Sequence, residues 1–152
     1  MTEARELLQG MREAEAELQT LKMRRSSLIE SIARAKSIPT RDPGMNVQTS
    51  RSTNDYMGEV IAEVEFIETD MKRLGQILTA DRQRVRKIIP HLGRDEREIV
   101  RLYFVCPVKN SRGDLRTWQD VEDLMHLSHT ATMKRRKRMF KEVNRIIEEQ
   151  GL

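Results

Sequence analysis

The stretch "TWQDVEDLMHLSHTATMKRRKRMF", Thr117 to Phe140, places Asp120, Glu122 and Asp123 ahead of a Leu127-Ser128 step and the unbroken basic run Lys134 to Arg138 behind it. Thr117 is a ready helix N-cap. Trp118, Val121, Leu124 and Met125 give the segment after it an inward side, which predicts a short helix over 118–125. After a three-residue turn, Ser128 or Thr130 caps a longer helix running to about Glu149. Its inner stripe is Thr132, Met139, Val143 and Ile146, with Phe140 and Ile147 alongside. Short helix, tight turn, longer helix is the helix-turn-helix arrangement. Trp118 is expected as its core anchor, and the three acids are expected in solvent.

On the longer helix Thr130, Met133, Lys134, Lys137 and Lys141 recur at helical spacing, opposite the apolar stripe. Arg138 stands beside Lys134 and Lys141. The result is a basic face able to follow a phosphate backbone, and the first turns of such a helix can enter a major groove about 12 Å wide. Charge bookkeeping agrees. The chain has 28 basic and 24 acidic residues, yet the stretch from Leu127 to Lys141 holds no acid. The excess is therefore local, which makes it informative about partners.

Upstream, "RDEREIVRLYFV" (94–105) clusters Ile99, Val100, Leu102, Tyr103 and Phe104 for a short amphipathic helix starting near Asp95. "CPVKNSRGDLR" (106–116) reads as a loop. Further back are two heptad runs. In the first, Leu7, Ala14, Leu21, Leu28 and Ala35 make one row, and Met11, Leu18 and Ile32 the other, interrupted by Arg25. In the second, Met57, Val64, Met71, Leu78 and Val85 pair with Val60, Ile67, Leu74 and Ile88; Asp81 is the exception. Asn54 or Asp55 is the expected start of the second helix, and Pro90 with Gly93 its end. Pro39, Pro43 and the Asp-Pro-Gly turn make residues 37–53 a flexible linker. The two seams can close on each other as an antiparallel hairpin, or each can be completed by a second chain.

The expected fold is all-α: a long, coiled-coil-like helical hairpin over 1–90 and a helix-turn-helix domain over 91–152. Only three Phe, two Tyr and one Trp are available, too few for a thick β core. Cys106, the single cysteine, excludes an internal disulfide and fits a reducing compartment. No apolar run reaches membrane-spanning length and the N-terminus does not read as a signal peptide, so no membrane contact and a cytoplasmic location are expected. His91, His126, His129 and Cys106 lack metal-ligand spacing, no phosphate loop is present, and Cys106 has no histidine in a catalytic context. No enzyme activity, metal or cofactor is expected.

"IIPHLGRDEREIVRLYFV…TWQDVEDLMHLSHTATMKRRKRMF" resembles the region-4 helix-turn-helix of bacterial sigma factors. Glu96-Arg97, Ile99, Leu102, Thr117, Trp118, Asp120, Val121, Leu127 and Ser128 match that pattern in order. The N-terminal half, with "NVQTS" between long helices, looks like the phage-encoded RinA/ArpU/LtrC type of transcriptional regulator. The resemblance spans nearly the whole chain and is most specific over 91–152. It implies a phage or prophage activator that binds double-stranded promoter DNA with host RNA polymerase in the bacterial cytoplasm. By motif position His129, Thr130, Met133 and Lys134 are base-reading candidates, and Thr117, Arg136, Lys137, Arg138 and Lys141 phosphate candidates. The N-terminal helices would associate with polymerase or with another copy of the chain. Thr132 and Arg135 depart from the family, which usually has buried aliphatics there. The 106–116 loop is longer than usual, and nothing resembles the aromatic-rich sigma region that melts promoters. Two other readings share these parts: a small terminase-like DNA-packaging subunit, and a coiled-coil assembly protein with an incidental basic run.

Overall fold

The computed structural model describes residues 3–37 and 46–152, with side chains described for 3–35 and 55–152. The architecture is all-α: α1 (Glu3–Ser37), α2 (Asn46–Ile88), a 3-10 turn (Ile89–His91), α3 (Arg94–Val100), a π-helical turn (Arg101–Val105), α4 (Trp118–Met125) and α5 (His129–Gln150). Among the described residues there is no strand, and no helix is long and apolar enough to cross a membrane.

The chain packs as two compact units, Met1–Gln19 with Leu74–Leu152, and Thr20–Arg73. In the larger unit the heptad rows close within one chain. Leu7, Met11 and Ala14 of the α1 rows are buried, as are Leu74, Leu78, Val85 and Ile88 of α2; Leu8, which lies outside both rows, is buried with them. Glu15, itself buried, accepts from Arg82 at 2.8 Å and from Gln19 Nε2 at 2.8 Å, so this buried acid is paired. The same core takes in Ile99, Val100, Phe104, Val121, Met139, Val143 and Ile146. The start of α1 is tied to this end of the chain. Arg12 donates to the carbonyls of Tyr103 (2.9 Å) and Arg116 (2.6 Å), and its guanidinium lies 3.7 Å from the Tyr103 ring centroid. Burial lowers the Arg12 pKa from its ordinary value, against a smaller opposing effect of Tyr103.

In the smaller unit Val60 and Ile67 are buried, and Leu21, Leu28, Ile32, Val64 and Met71 half-buried. Arg25, which interrupts the first heptad row, is half-buried and pairs with Glu68 at 2.8 Å. Arg24 pairs with Glu63 beside it.

One expectation about an element is corrected. Helix α2 begins at Asn46, not at Asn54 or Asp55, so residues 46–53 of the expected linker are helical. Ser, Thr and Asn cost a helix only a few tenths of a kcal/mol each, which an established helix tolerates at its end. The rest of that linker, 38–45, lies outside the described residues. The 106–116 segment is the expected loop, its two sides joined by one antiparallel bridge between Val108 and Leu115. Asn110 Oδ1 accepts from the backbone N–H groups of Arg112 (3.0 Å) and Asp114 (3.2 Å). Gly113 sits at φ +83° in the turn, where an L side chain would be strained.

Candidate nucleic-acid interface

The helix-turn-helix forms from the residues that announce it. Thr117 caps α4 with a reciprocal box: its hydroxyl accepts from Asp120 N–H (3.2 Å), and its own N–H donates to Asp120 Oδ2 (2.8 Å). That backbone hydrogen bond, helped by Lys109 at 3.3 Å, holds the Asp120 carboxyl below the usual carboxylate range. Thr117 therefore serves the cap, although its side chain remains exposed. His126 ends α4 in the left-handed region at φ 56°, and its N–H donates to the Glu122 carbonyl. Ser128 then opens α5, its Oγ accepting from Ala131 N–H at 3.1 Å.

Trp118 is the expected anchor, half-buried within a column of rings and guanidinium groups. Its indole stacks on Tyr103 with centroids 3.8 Å apart and planes 17° off parallel. Arg136 lies over the indole at 4.4 Å. The single π turn, closed by Cys106 N–H to the Arg101 carbonyl (2.9 Å), lets Phe104 enter the core while Tyr103 meets Trp118. A regular α-helix would spread these neighbours over a different arc.

On α5 the inner stripe is as expected: Thr132, Met139, Phe140, Val143, Ile146 and Ile147 are all buried. Thr132, only 1% exposed, donates its hydroxyl to the Ser128 carbonyl at 2.9 Å, so a polar residue in an aliphatic position leaves nothing unsatisfied. Arg135 reaches Asp95 at 2.7 Å and approaches the buried Glu96 at 4.0 Å, which ties α5 to the start of α3.

The opposite face carries His129, Thr130, Met133, Lys134, Lys137, Arg138 and Lys141, all exposed. Arg136 is half-buried against Trp118 and stands off this row. Some bases of this unit are held in ion pairs, and the outward bases of α5 are not among them. Arg82, Arg84, Arg101, Arg135 and Arg145 of this unit each pair with a carboxylate. Among the described residues Lys134, Lys137, Arg138 and Lys141 form no ion pair. Arg145, one turn beyond Lys141, is held by Glu142 and Glu149 at 2.8 and 2.7 Å. Concentrating unpaired cations on one face costs self-repulsion, which an anionic polymer would relieve.

Sequence reasoning missed three features. Arg5 of α1 lies 5.0 Å from the Phe140 ring centroid and lines a groove with Lys137, Lys141 and Asn144, so α1 adds a base to this side. No local signal could have placed it there. Leu124, expected inward, is 56% exposed, and Glu122, expected in solvent, is 5% exposed. The buried stripe of α4 is Trp118, Val121, Glu122 and Met125, at helical spacing, and Leu124 falls off it. Glu122 is partnered there by His129 Nδ1 at 2.8 Å. Among the described residues no group of histidine, cysteine and acidic side chains could hold a metal ion.

Comparison of the chain with family models, with curated proteins and with solved structures found no match to any of them.

Proposed function

We propose that the chain is a DNA-binding transcriptional regulator of phage or prophage type, acting with host RNA polymerase at promoters in the bacterial cytoplasm. The observation that carries this reading is the outward face of α5, where Lys134, Lys137, Arg138 and Lys141 stand exposed and unpaired directly after a helix-turn-helix turn. An α-helix with side chains is about 10–12 Å across, matching the width of a major groove. In this reading His129, Thr130, Met133 and Lys134, on the first turns of α5, meet base edges. Lys137, Arg138 and Lys141 track phosphates, and the capped start of α5 offers its remaining N–H groups to an anion. The N-terminal helices supply the surface for polymerase or a second copy of the chain.

The test is duplex binding by fluorescence anisotropy over a range of salt. Three lysine or arginine contacts to phosphate give a log–log salt slope of about −2.7, from roughly −0.9 per contact. Absence of binding, or binding that ignores salt, would contradict the proposal. A ring-forming oligomer seen by light scattering would favour a packaging subunit instead.

A further inference from the structure

Glu122 is the one acid of α4 taken out of solvent, and its carboxylate meets His129 Nδ1 at 2.8 Å across the helix-turn-helix turn. His129 is the first residue of α5, and its side chain is otherwise 74% exposed. The backbone that carries it is held as well. Ser128 Oγ accepts from Ala131 N–H, and the Ser128 carbonyl accepts both Thr132 N–H and the Thr132 hydroxyl, each at 2.9 Å. The imidazole is thus fixed at its root by the cap and at one nitrogen by a buried acceptor, leaving its far edge open.

The geometry points to Glu122 as a specificity-determining positioning residue: it pins the neutral His129 ring in the Nδ1–H tautomer, so that Nε2 faces a bound duplex as a hydrogen-bond acceptor. An ionised carboxylate can only accept, so the 2.8 Å contact places the proton on Nδ1. In a neutral imidazole the other nitrogen then carries a lone pair. In the major groove the only donors are the amino groups of adenine and cytosine, whereas guanine and thymine offer acceptors. His129 therefore selects an amino-bearing base at the position it meets. Glu122, which touches no DNA, sets that choice. This inference rests on the DNA-reading function proposed above.

Two measurements separate its parts. Long-range proton–nitrogen correlation on the free full chain at pH 8.5 reads the tautomer directly, with His91→Gln and His126→Gln variants assigning the three rings. The expected result is a protonated Nδ1 and an unprotonated Nε2 on His129, moving toward Nε2–H in Glu122→Gln, where the amide can donate to Nδ1. An Nε2–H ring, a doubly protonated ring, or no response to Glu122→Gln would overturn the inference whatever the protein binds. Duplexes differing at single base pairs are then compared at the same pH. The native chain should prefer adenine or cytosine at one position by roughly two- to tenfold, the range of one net hydrogen bond. Glu122→Gln should reverse that preference toward guanine or thymine. His129→Ala should abolish it; because this variant also strips the buried Glu122 carboxylate of its partner, thermal melting checks that it is folded. Unaltered base preference in both variants would overturn the inference with DNA binding intact. Failure of every duplex to bind, with the expected tautomer present, would refute the DNA-reading function and the base-selection role together.

Discussion

Replacing Lys137 and Arg138 together with Ala should flatten the salt dependence of duplex binding by a calculable amount. Both side chains are exposed on α5, and neither forms an ion pair among the described residues. Each is therefore free to neutralise one phosphate, contributing roughly 0.9 to the log–log slope. Between 50 and 200 mM salt one such contact weakens binding about 3.5-fold, and two weaken it about 12-fold. The native chain should thus lose about 12-fold more affinity than the double variant over that range. Stability should stay within about 0.5 kcal/mol of native, since Ala is a good helix former and nothing buried is removed. Anisotropy titrations at four or five salt concentrations measure the slope, and thermal melting followed by circular dichroism confirms that the fold survives. An unchanged slope in a folded double variant would refute the phosphate face of α5. So would an equal flattening in an Arg135→Ala control.

Arg135→Ala should lower stability by about 1 kcal/mol through loss of the Asp95 pair and of the cation near buried Glu96, while leaving the salt slope alone. Chemical denaturation and the same titrations check both halves. Trp118→Ala removes the stack with Tyr103 and the support of Arg136, and should cost about 3 kcal/mol, or roughly 6–12 °C in Tm by calorimetry for a chain of this size. The capping-box carboxyl gives a pH effect with a definite sign. Asp120 is held below its ordinary value by the Thr117 N–H, so its stabilisation is complete above the usual Asp pKa of about 3.9 and is lost as pH falls through the depressed folded value. Asp120→Asn should therefore narrow the stability gap to native as pH drops from 6 to 3, measured by urea denaturation at each pH.

The features legible in the sequence were those written in local spacing. Thr117 as cap, the 118–125 helix, a cap at Ser128 or Thr130 (it is Ser128) and the Thr132–Ile147 stripe all follow from contacts within one or two turns. The heptad rows likewise gave much of the buried faces of α1 and α2, but missed Leu8 and Glu15 and could not say that Leu74, Leu78 and Val85 would be covered within the same chain. What escaped depends on partners remote along the chain or on departures from regular helix. Arg5 and Arg12 look like ordinary wet residues of a coiled coil until Phe140 and Tyr103 are brought beside them. Glu122 reads as a solvated acid among acids, because its burial needs His129 on the far side of a turn. The π turn at Arg101–Val105 has no periodicity of its own to announce it. Helix α2 runs back to Asn46 through residues whose composition alone favours a linker.

The central claim is that this chain reads duplex DNA in the service of transcription. Selection of bound duplexes from a random pool at near-physiological salt, with and without bacterial RNA polymerase, tests it most directly. The account predicts a recovered sequence motif, either from the protein alone or only when polymerase is present, and its weakening in Lys134→Ala. No enriched sequence under either condition would contradict it.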